Sequence, residues 1–235
     1  MSKELQRDGN RQGHVNSGRI KVLVVDDHPA VRDALAEAIR SKLDLQLVGE
    51  VDSANAAFEA LARERPDVAV IDVVLGDADG LDLVQNLRAQ YPELAVVIFS
   101  MYDETIYAER ALRAGASGYL MKSAPTQEVI EGIRSVARGD IYLSRSMSSR
   151  MLSKLAGGAK PAGPGVSLDD LTDRELSVFQ MMGQGYSVEK IAQRLNLSRK
   201  TVETYRRRAK EKMGFETVTE LLQFAIRWTY GQAGH

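Results

Sequence analysis

The chain has 235 residues, 44% of them apolar and 27% charged, an ordinary globular balance that leaves room for one or two domains. It contains no cysteine, which excludes a disulfide framework and any thiolate metal site. No apolar run approaches the ~20 residues needed to span a bilayer, so the expected compartment is the cytoplasm. The net charge of −1 hides an uneven spread: residues 20–143 carry 12 basic against 21 acidic groups, and residues 168–235 carry 11 against 9. An acidic front and a mildly basic rear point to two domains with different partners.

Residues 1–18 are polar, have no apolar core and read as a disordered leader, not a secretory signal. Ile20 to Val25 is a first strand, closed by Asp26 and Asp27. Pro29 opens a helix through Ala30–Leu43. Leu45 to Val51 is a second strand, and Ser53 caps a helix through Arg65. Val68 to Asp72, Val-Ala-Val-Ile-Asp, is too short for a helix and suits a strand buried on both faces. A loop, Val73 to Asp79, carries Gly76 and leads through Gly80 into a helix over Leu81–Tyr91, broken by Pro92. Ala95 to Ser100 and Gly118 to Met121 are further strands, the second followed by Lys122. Helices over Thr105–Ala114 and Thr126–Arg138 complete the series, with Gly115 and Gly139 at their ends.

Five strands alternating with five helices give an α/β doubly wound parallel sheet. The flavodoxin-like order 2-1-3-4-5 is the natural one for five such units. The remainder is all-helical. Ser144 to Leu155 suits a short basic helix, and residues 156–165 have linker composition. Thr172 and Glu175 form a capping box for a helix to Met182. Ser187 caps a short helix over Val188–Leu195, Asn196-Leu197-Ser198 turns the chain, Arg199 to Met213 is a longer basic helix, and Thr217 to Tyr230 a fourth.

Asp26, Asp27 and Asp72 fall at the carboxyl ends of strands 1 and 3, where open sheets bind ligands. Three carboxylates there repel unless a cation intervenes, and hard oxygen donors suit Mg²⁺. Ser100 and Lys122 end strands 4 and 5 on the same edge, placed to hold phosphoryl oxygens. Asp72 is then a candidate nucleophile toward a phosphoryl group. Any one of these residues alone is ordinary turn or surface chemistry; five on one edge are not.

Residues 20–139 resemble a response-regulator receiver domain. The matching residues are Val-Val-Asp-Asp-His-Pro (24–29), Ile-Asp (71–72), Asp-Gly-Leu (79–81), Phe-Ser (99–100) and Ala-Gly-Ala-Ser-Gly-Tyr-Leu-Met-Lys (114–122). The resemblance implies that Asp72 accepts a phosphoryl group from a histidine-kinase phosphodonor. It implies that Asp27, Asp72 and the carbonyl of Val74 ligate Mg²⁺, with Asp26 contributing through water. Ser100 would bond the phosphoryl group, Lys122 would pair with it, and Tyr119 would be the aromatic that swings inward. The chain departs from the family after Asp72, where Val-Val-Leu-Gly lacks the usual proline turn. Val74 and Tyr102 are expected to flank the phosphoryl group and hinder water, giving a phospho-aspartate that persists for minutes or longer.

The helix, tight turn and basic helix of residues 188–213 have helix-turn-helix spacing. Arg199 to Lys212 holds 7 basic and 2 acidic residues, the concentration that phosphate neutralisation needs. Residues 171–228 resemble the LuxR/FixJ-type DNA-binding domain through Leu-Thr-Asp-Arg-Glu (171–175), Gly-Tyr-Ser (185–187), Lys-Ile-Ala (190–192), Leu-Asn-Leu-Ser-Arg-Lys-Thr-Val-Glu-Thr-Tyr (195–205) and Lys-Met-Gly (212–214). It departs at Val188 and at Gly183-Gln184, where a more apolar pair is usual. The resemblance places Glu203, Thr204 and Arg207 at base edges. Lys200, Thr201, Arg206, Arg208 and Lys210 are assigned to phosphates. The last helix would pair two such domains on an inverted repeat.

Together the resemblances imply a two-component response regulator of the NarL/FixJ family. Its expected organisation is a leader (1–18), receiver (19–143), linker with a short helix (144–167) and helix-turn-helix domain (168–235). Its expected partners are a sensor histidine kinase, double-stranded DNA, a second copy on activation and RNA polymerase, with no membrane. The unphosphorylated acidic receiver is expected to cover the basic recognition helix. Two other readings compete: a constitutive DNA-binding regulator, and a Mg²⁺-dependent phosphatase or phosphotransferase. The second lacks an acid two residues after Asp72, where Val74 stands.

Overall fold

The computed structural model describes residues 18–75, 78–155, 168–195 and 197–232. The expected leader up to residue 17, Gly76, the expected linker at 156–165 and Asn196 lie outside the described residues.

Five parallel strands form one sheet: β1 (Ile20–Val25), β2 (Leu45–Val51), β3 (Val68–Ile71), β4 (Ala95–Ser100) and β5 (Gly118–Met121). Their order is 2-1-3-4-5, the expected one. Side chains alternate across the sheet. Leu23, Val25, Ala69, Ile71, Val96 and Ile98 face α2 (Ala54–Glu64), α3 (Gly80–Gln90) and α4 (Glu104–Ala114). Val22, Val24, Val68, Val70 and Val97 face α1 (Pro29–Arg40) and α5 (Thr126–Ala137). Burial on both faces is why β3 reads as a continuous apolar run.

Three local expectations shift. α1 stops at Arg40 instead of reaching Leu43, whose side chain is almost fully exposed and adds nothing to the core. Ser53 occupies the N-cap position of α2 but makes no side-chain hydrogen bond there. Part of the expected loop after Asp72 is a small hairpin, Val74–Leu75 against Ala78–Asp79, with Val74 paired to Asp79. Gly80 closes this hairpin onto the sheet, since a Cβ there would lie 2.2 Å from the carbonyl oxygen of Asp72. That close approach explains the glycine.

The rear of the chain folds as α6 (Arg145–Leu155), then α7 (Asp173–Gly183), α8 (Val188–Arg194), α9 (Arg199–Lys212) and α10 (Val218–Gln232). The Thr172–Glu175 capping box is present. Ser187 and Ser198 cap α8 and α9 through their side chains. At Gly183 a Cβ would lie 2.5 Å from the carbonyl oxygen of Ala225, so the departure from the family's apolar pair lets α7 and α10 cross closely. α7 is buried on all sides, and its apolar residues join one continuous core with those of α4.

Candidate functional site

Strand register assembles the acidic cluster. β1 and β3 pair with Val25 opposite Ile71, so the next residues, Asp26 and Asp72, lie side by side. β4 and β5 pair with Ser100 opposite Met121, which delivers Lys122 to the same edge. Lys122 Nζ lies 2.6 Å from Asp26 Oδ2 and 2.7 Å from Asp72 Oδ2. Oxygen or nitrogen atoms of Asp26, Asp27, His28 and Asp72 all lie within 4.8 Å of one another. His28 was not among the sequence-derived candidates. Its Nδ1 is 2.7 Å from Asp27 Oδ1, and Val-Val-Asp-Asp-His was the only signal for it.

One ammonium pairs with two buried carboxylates, those of Asp26 and Asp72. The Asp72 carboxyl is pushed up to about 6, mainly by burial, with Asp26 adding to the rise and Lys122 opposing it. Burial pulls the Lys122 ammonium down, but Asp72 and Asp26 outweigh it and the net shift is upward. Ser100 is fully buried and its Oγ accepts from the backbone N–H of Tyr102 at 3.2 Å. Tyr119 points inward, fully buried, and its hydroxyl donates to the carbonyl of Tyr102 at 2.8 Å. Val74 is buried beside Asp72, and both line one cavity with Tyr102.

That cavity, of about 120 Å³, is roofed by the helical domain. His28, Asp72 and Lys122 line it from the sheet edge; Gln180, Gln184 and Arg194 line it from α7 and α8. The docking is built on α4. Tyr107 donates or accepts at Ser177 Oγ (2.9 Å) and donates to the carbonyl of Asp173 (3.1 Å). Arg110 pairs with Asp173 Oδ1 at 2.6 Å and donates to the carbonyls of Leu171 and Leu168. Tyr102 stacks obliquely on Tyr107, ring centroids 5.0 Å apart. Asp79, at the end of the hairpin, lies against Asp173, and its carboxyl is pushed up to about 7 by burial and then by that neighbouring charge.

The recognition helix is not what the receiver-like half covers. Lys200, Glu203, Arg207 and Arg208 of α9 are exposed; Thr201, Thr204, Arg206 and Lys210 are half-buried. The surface that docks is the face of α7 bearing Asp173, Ser177 and Gln180, because those polar groups find partners or a polar cavity on α4 and the sheet edge. Val202 and Ala209 anchor α9 in the helical core. Several cations of α9 are engaged: Arg199 with Glu189, Lys212 with buried Glu175, and Arg207 with Glu211 one turn on. Lys210 Nζ donates to the carbonyl of Glu216 at 3.0 Å. Among the described residues no helix is long and apolar enough to cross a membrane.

The family model for the response regulator receiver domain matches residues 22–134, and that for bacterial regulatory proteins of the luxR family matches residues 169–225. The DNA-binding transcriptional activator DevR/DosR of Mycobacterium tuberculosis is 34% identical over 206 residues, covering 88% of this chain and 94% of that protein. The response regulator GacA of Pseudomonas aeruginosa is 34% identical over 209 residues, covering 88% and 96%. RcsB of Salmonella enterica serovar Typhimurium, solved bound to promoter rprA with the phosphomimetic BeF3−, matches with a TM-score of 0.56 at 22% identity over 88% of this chain and 98% of that one, a likeness of fold. The chain belongs to the two-component response regulators that join a receiver domain to a LuxR-type DNA-binding domain and regulate transcription.

Proposed function

We propose that Asp72 is the phosphoacceptor, that a sensor histidine kinase supplies the phosphoryl group, and that its arrival releases the DNA-binding domain to dimerise on an inverted repeat. The observation that carries this is the shared cavity: Asp72 on one wall, α7 and α8 of the DNA-binding domain on the other. A phosphoryl group entering there adds charge and volume against the docked domain, so the two compete directly. The boundaries that fit are a receiver at 19–143, a connecting segment at 144–167 and the DNA-binding domain at 168–235.

The donor set fits Mg²⁺. Asp26, Asp27 and Asp72 offer hard oxygens within 4.8 Å of one another, and a cation there would offset the burial and the Asp26 charge that raise the Asp72 carboxyl. These three, with the carbonyl of Val74, would hold the ion. When bound, it supplies positive charge for the phosphoryl oxygens. The chain's own contribution follows from geometry. Asp72 attacks as the ionised carboxylate, Ser100 offers its hydroxyl to a phosphoryl oxygen, and Lys122 turns from Asp72 to the new phosphate. Tyr119, already inward, links this edge to the Tyr102 backbone and so to the α4 surface that docks α7.

On DNA, Glu203, Thr204 and Arg207 read bases while Lys200, Thr201, Arg206, Arg208 and Lys210 hold phosphates; RNA polymerase is the further partner that transcriptional control requires. The RcsB complex with promoter DNA in the presence of a phosphomimetic is consistent with DNA binding by a phosphorylated form here. Acetyl phosphate with Mg²⁺ should add one phosphoryl group by mass, shift the chain to dimers by light scattering and raise its DNA affinity. Asp72→Asn should abolish all three. Phosphoryl uptake without any change in dimerisation or DNA binding would reject the coupling, and unaltered DNA binding in Asp72→Asn would favour a constitutive regulator.

A further inference from the structure

Gln180 sits on the docking face of α7, one turn beyond Ser177 and two beyond Asp173. The helical spacing aligns these residues toward the receiver domain. Asp173 and Ser177 are fully engaged with Tyr107 and Arg110. Gln180 is different: it is 5% exposed, it lines the cavity that holds Asp72, and its side-chain Nε2 has no hydrogen-bond partner among the described residues. A buried amide left without a partner forfeits its hydration with nothing in return. An arrangement that keeps one is expected to use it.

The cavity of about 120 Å³ is large enough to hold water. Beside apolar lining from Val74, Tyr102, Met181 and Leu195, it places the polar groups of His28, Asp72 and Lys122 on the walls with Gln180. A phosphoryl group on Asp72 would project into this space.

We propose that Gln180 is a catalytic residue for loss of the phosphoryl group, supplied by the DNA-binding domain when it redocks on a phosphorylated receiver. This rests on Asp72 being the phosphoacceptor. In the docked form the Gln180 carbonyl oxygen accepts from a cavity water and its NH₂ donates to a phosphoryl oxygen, setting the water against phosphorus. An amide orients attacking water in this way in nucleotide hydrolysis. The water oxygen forms the new bond to phosphorus while the bond from phosphorus to the Asp72 carboxylate oxygen breaks. The electron pair stays on Asp72, the water proton passes to the departing phosphate, and inorganic phosphate and the free carboxylate result. In the undocked form Val74 and Tyr102 still shield the phosphoryl group but the amide is gone, so the group persists. Docking thereby clears any phosphoryl group that has failed to hold the domains apart.

The test uses the full-length chain, phosphorylated with acetyl phosphate and Mg²⁺ and then freed of the donor. Loss of phosphoryl is followed by intact mass, and docking by hydrogen exchange of the amides of α4 and α7. Gln180→Met keeps length and volume but removes the amide. It should preserve docking before phosphorylation and lengthen the phosphoryl lifetime on the order of ten-fold. Gln180→Asn keeps an amide one methylene short, covers the case in which methionine disturbs docking, and should also lengthen it. Tyr107→Phe, which loosens docking with Gln180 intact, should lengthen it too. A wild-type rate of loss in a docked Gln180→Met or Gln180→Asn chain, or in an undocked Tyr107→Phe chain, overturns the proposal while leaving Asp72 as acceptor. Failure of the wild-type chain to take up phosphoryl at Asp72 overturns both.

Discussion

Arg110 of the receiver domain reaches Asp173 of the DNA-binding domain, Nη1 to Oδ1 at 2.6 Å, with the arginine side chain only 16% exposed. The same guanidinium donates to the carbonyls of Leu171 and Leu168. One side chain therefore satisfies the entry to α7 from across the domain boundary. Arg110→Ala would remove this ion-pair partner of Asp173, which also lies against Asp79. Breaking a buried pair by removing one partner costs about 3–5 kcal/mol, and partial exposure places this one at or below the lower end. Tyr107→Phe loses only neutral hydrogen bonds, about 1 kcal/mol. Unphosphorylated Arg110→Ala should bind DNA more tightly than wild type, and Tyr107→Phe should lie between them, by fluorescence anisotropy on one duplex. The reverse order would show that the domains are held mainly by their shared apolar core.

Docking should also depend on pH through Asp79. Its carboxyl is pushed up to about 7 in the docked chain, first by burial and then by Asp173. Released to solvent, it would titrate near the ordinary value of about 4. Between those values the docked form keeps a proton that the undocked form has lost. Docking is thus most favoured toward the acid end of that window, weakens as pH rises through it, and no longer changes on this account above about 7. Hydrogen exchange of α7 measured across the window should show protection falling with rising pH. Asp79→Asn retains an acceptor for the N–H of Leu81 and should flatten the slope. A slope unchanged in Asp79→Asn would assign it to other carboxylates.

The acidic cluster predicts an unusual stability effect. Asp72 carries a carboxyl raised to about 6, chiefly by burial, so at neutral pH folding forces an ionised group into a site that resists it. The raised value means that this penalty is absent below about 4, grows through the window up to about 6, and is complete above it. Asp72→Asn removes the charge, and Lys122 retains Asp26 as partner. In the presence of a chelator the variant should melt higher than wild type, by on the order of 2–3 kcal/mol at most. Mg²⁺ should then raise the melting temperature of wild type much more than that of the variant. A lower melting temperature for Asp72→Asn without the cation would mean that the Lys122–Asp72 pair outweighs burial.

How much of this was legible in the residues depends on the range of the interaction. Alternating apolar residues specified the two faces of the sheet, and strand-end carboxylates announced the Asp26–Asp72 edge, because both follow from local period and register. The Thr172–Glu175 capping box was equally plain, being a contact three residues long. The docking surface was not. Asp173, Ser177 and Gln180 repeat at helical spacing, which does not tell a solvated face from a docked one, and they are buried, the first two against α4. Arg110 and Tyr107 carry no local sign that their partners lie 58 to 70 residues away. The expectation that the acidic receiver covers the basic recognition helix followed net charge. Specific hydrogen bonds and apolar contact chose α7 instead, since summed charge governs approach more than register.

The proposed split between base-reading and phosphate-holding residues on α9 can be tested residue by residue. Arg207 is exposed and tethered to Glu211 at 2.9 Å, which holds its guanidinium along the helix surface. An arginine gripping guanine O6 and N7 is worth about 1–3 kcal/mol of discrimination. Lys210, assigned to a phosphate, also donates to the carbonyl of Glu216, so its removal disturbs the turn into α10 as well as the charge. Lys200 is exposed near the start of α9 and makes the cleaner phosphate probe. Arg207→Ala should lower affinity for the preferred sequence far more than for unrelated duplexes. Lys200→Ala should lower both alike and reduce the slope of log affinity against log salt by about one. Anisotropy titrations at two salt concentrations on preferred and scrambled duplexes would measure both effects. Equal losses on both duplexes for Arg207→Ala would remove it from the base-reading set and leave Glu203 and Thr204 to carry specificity.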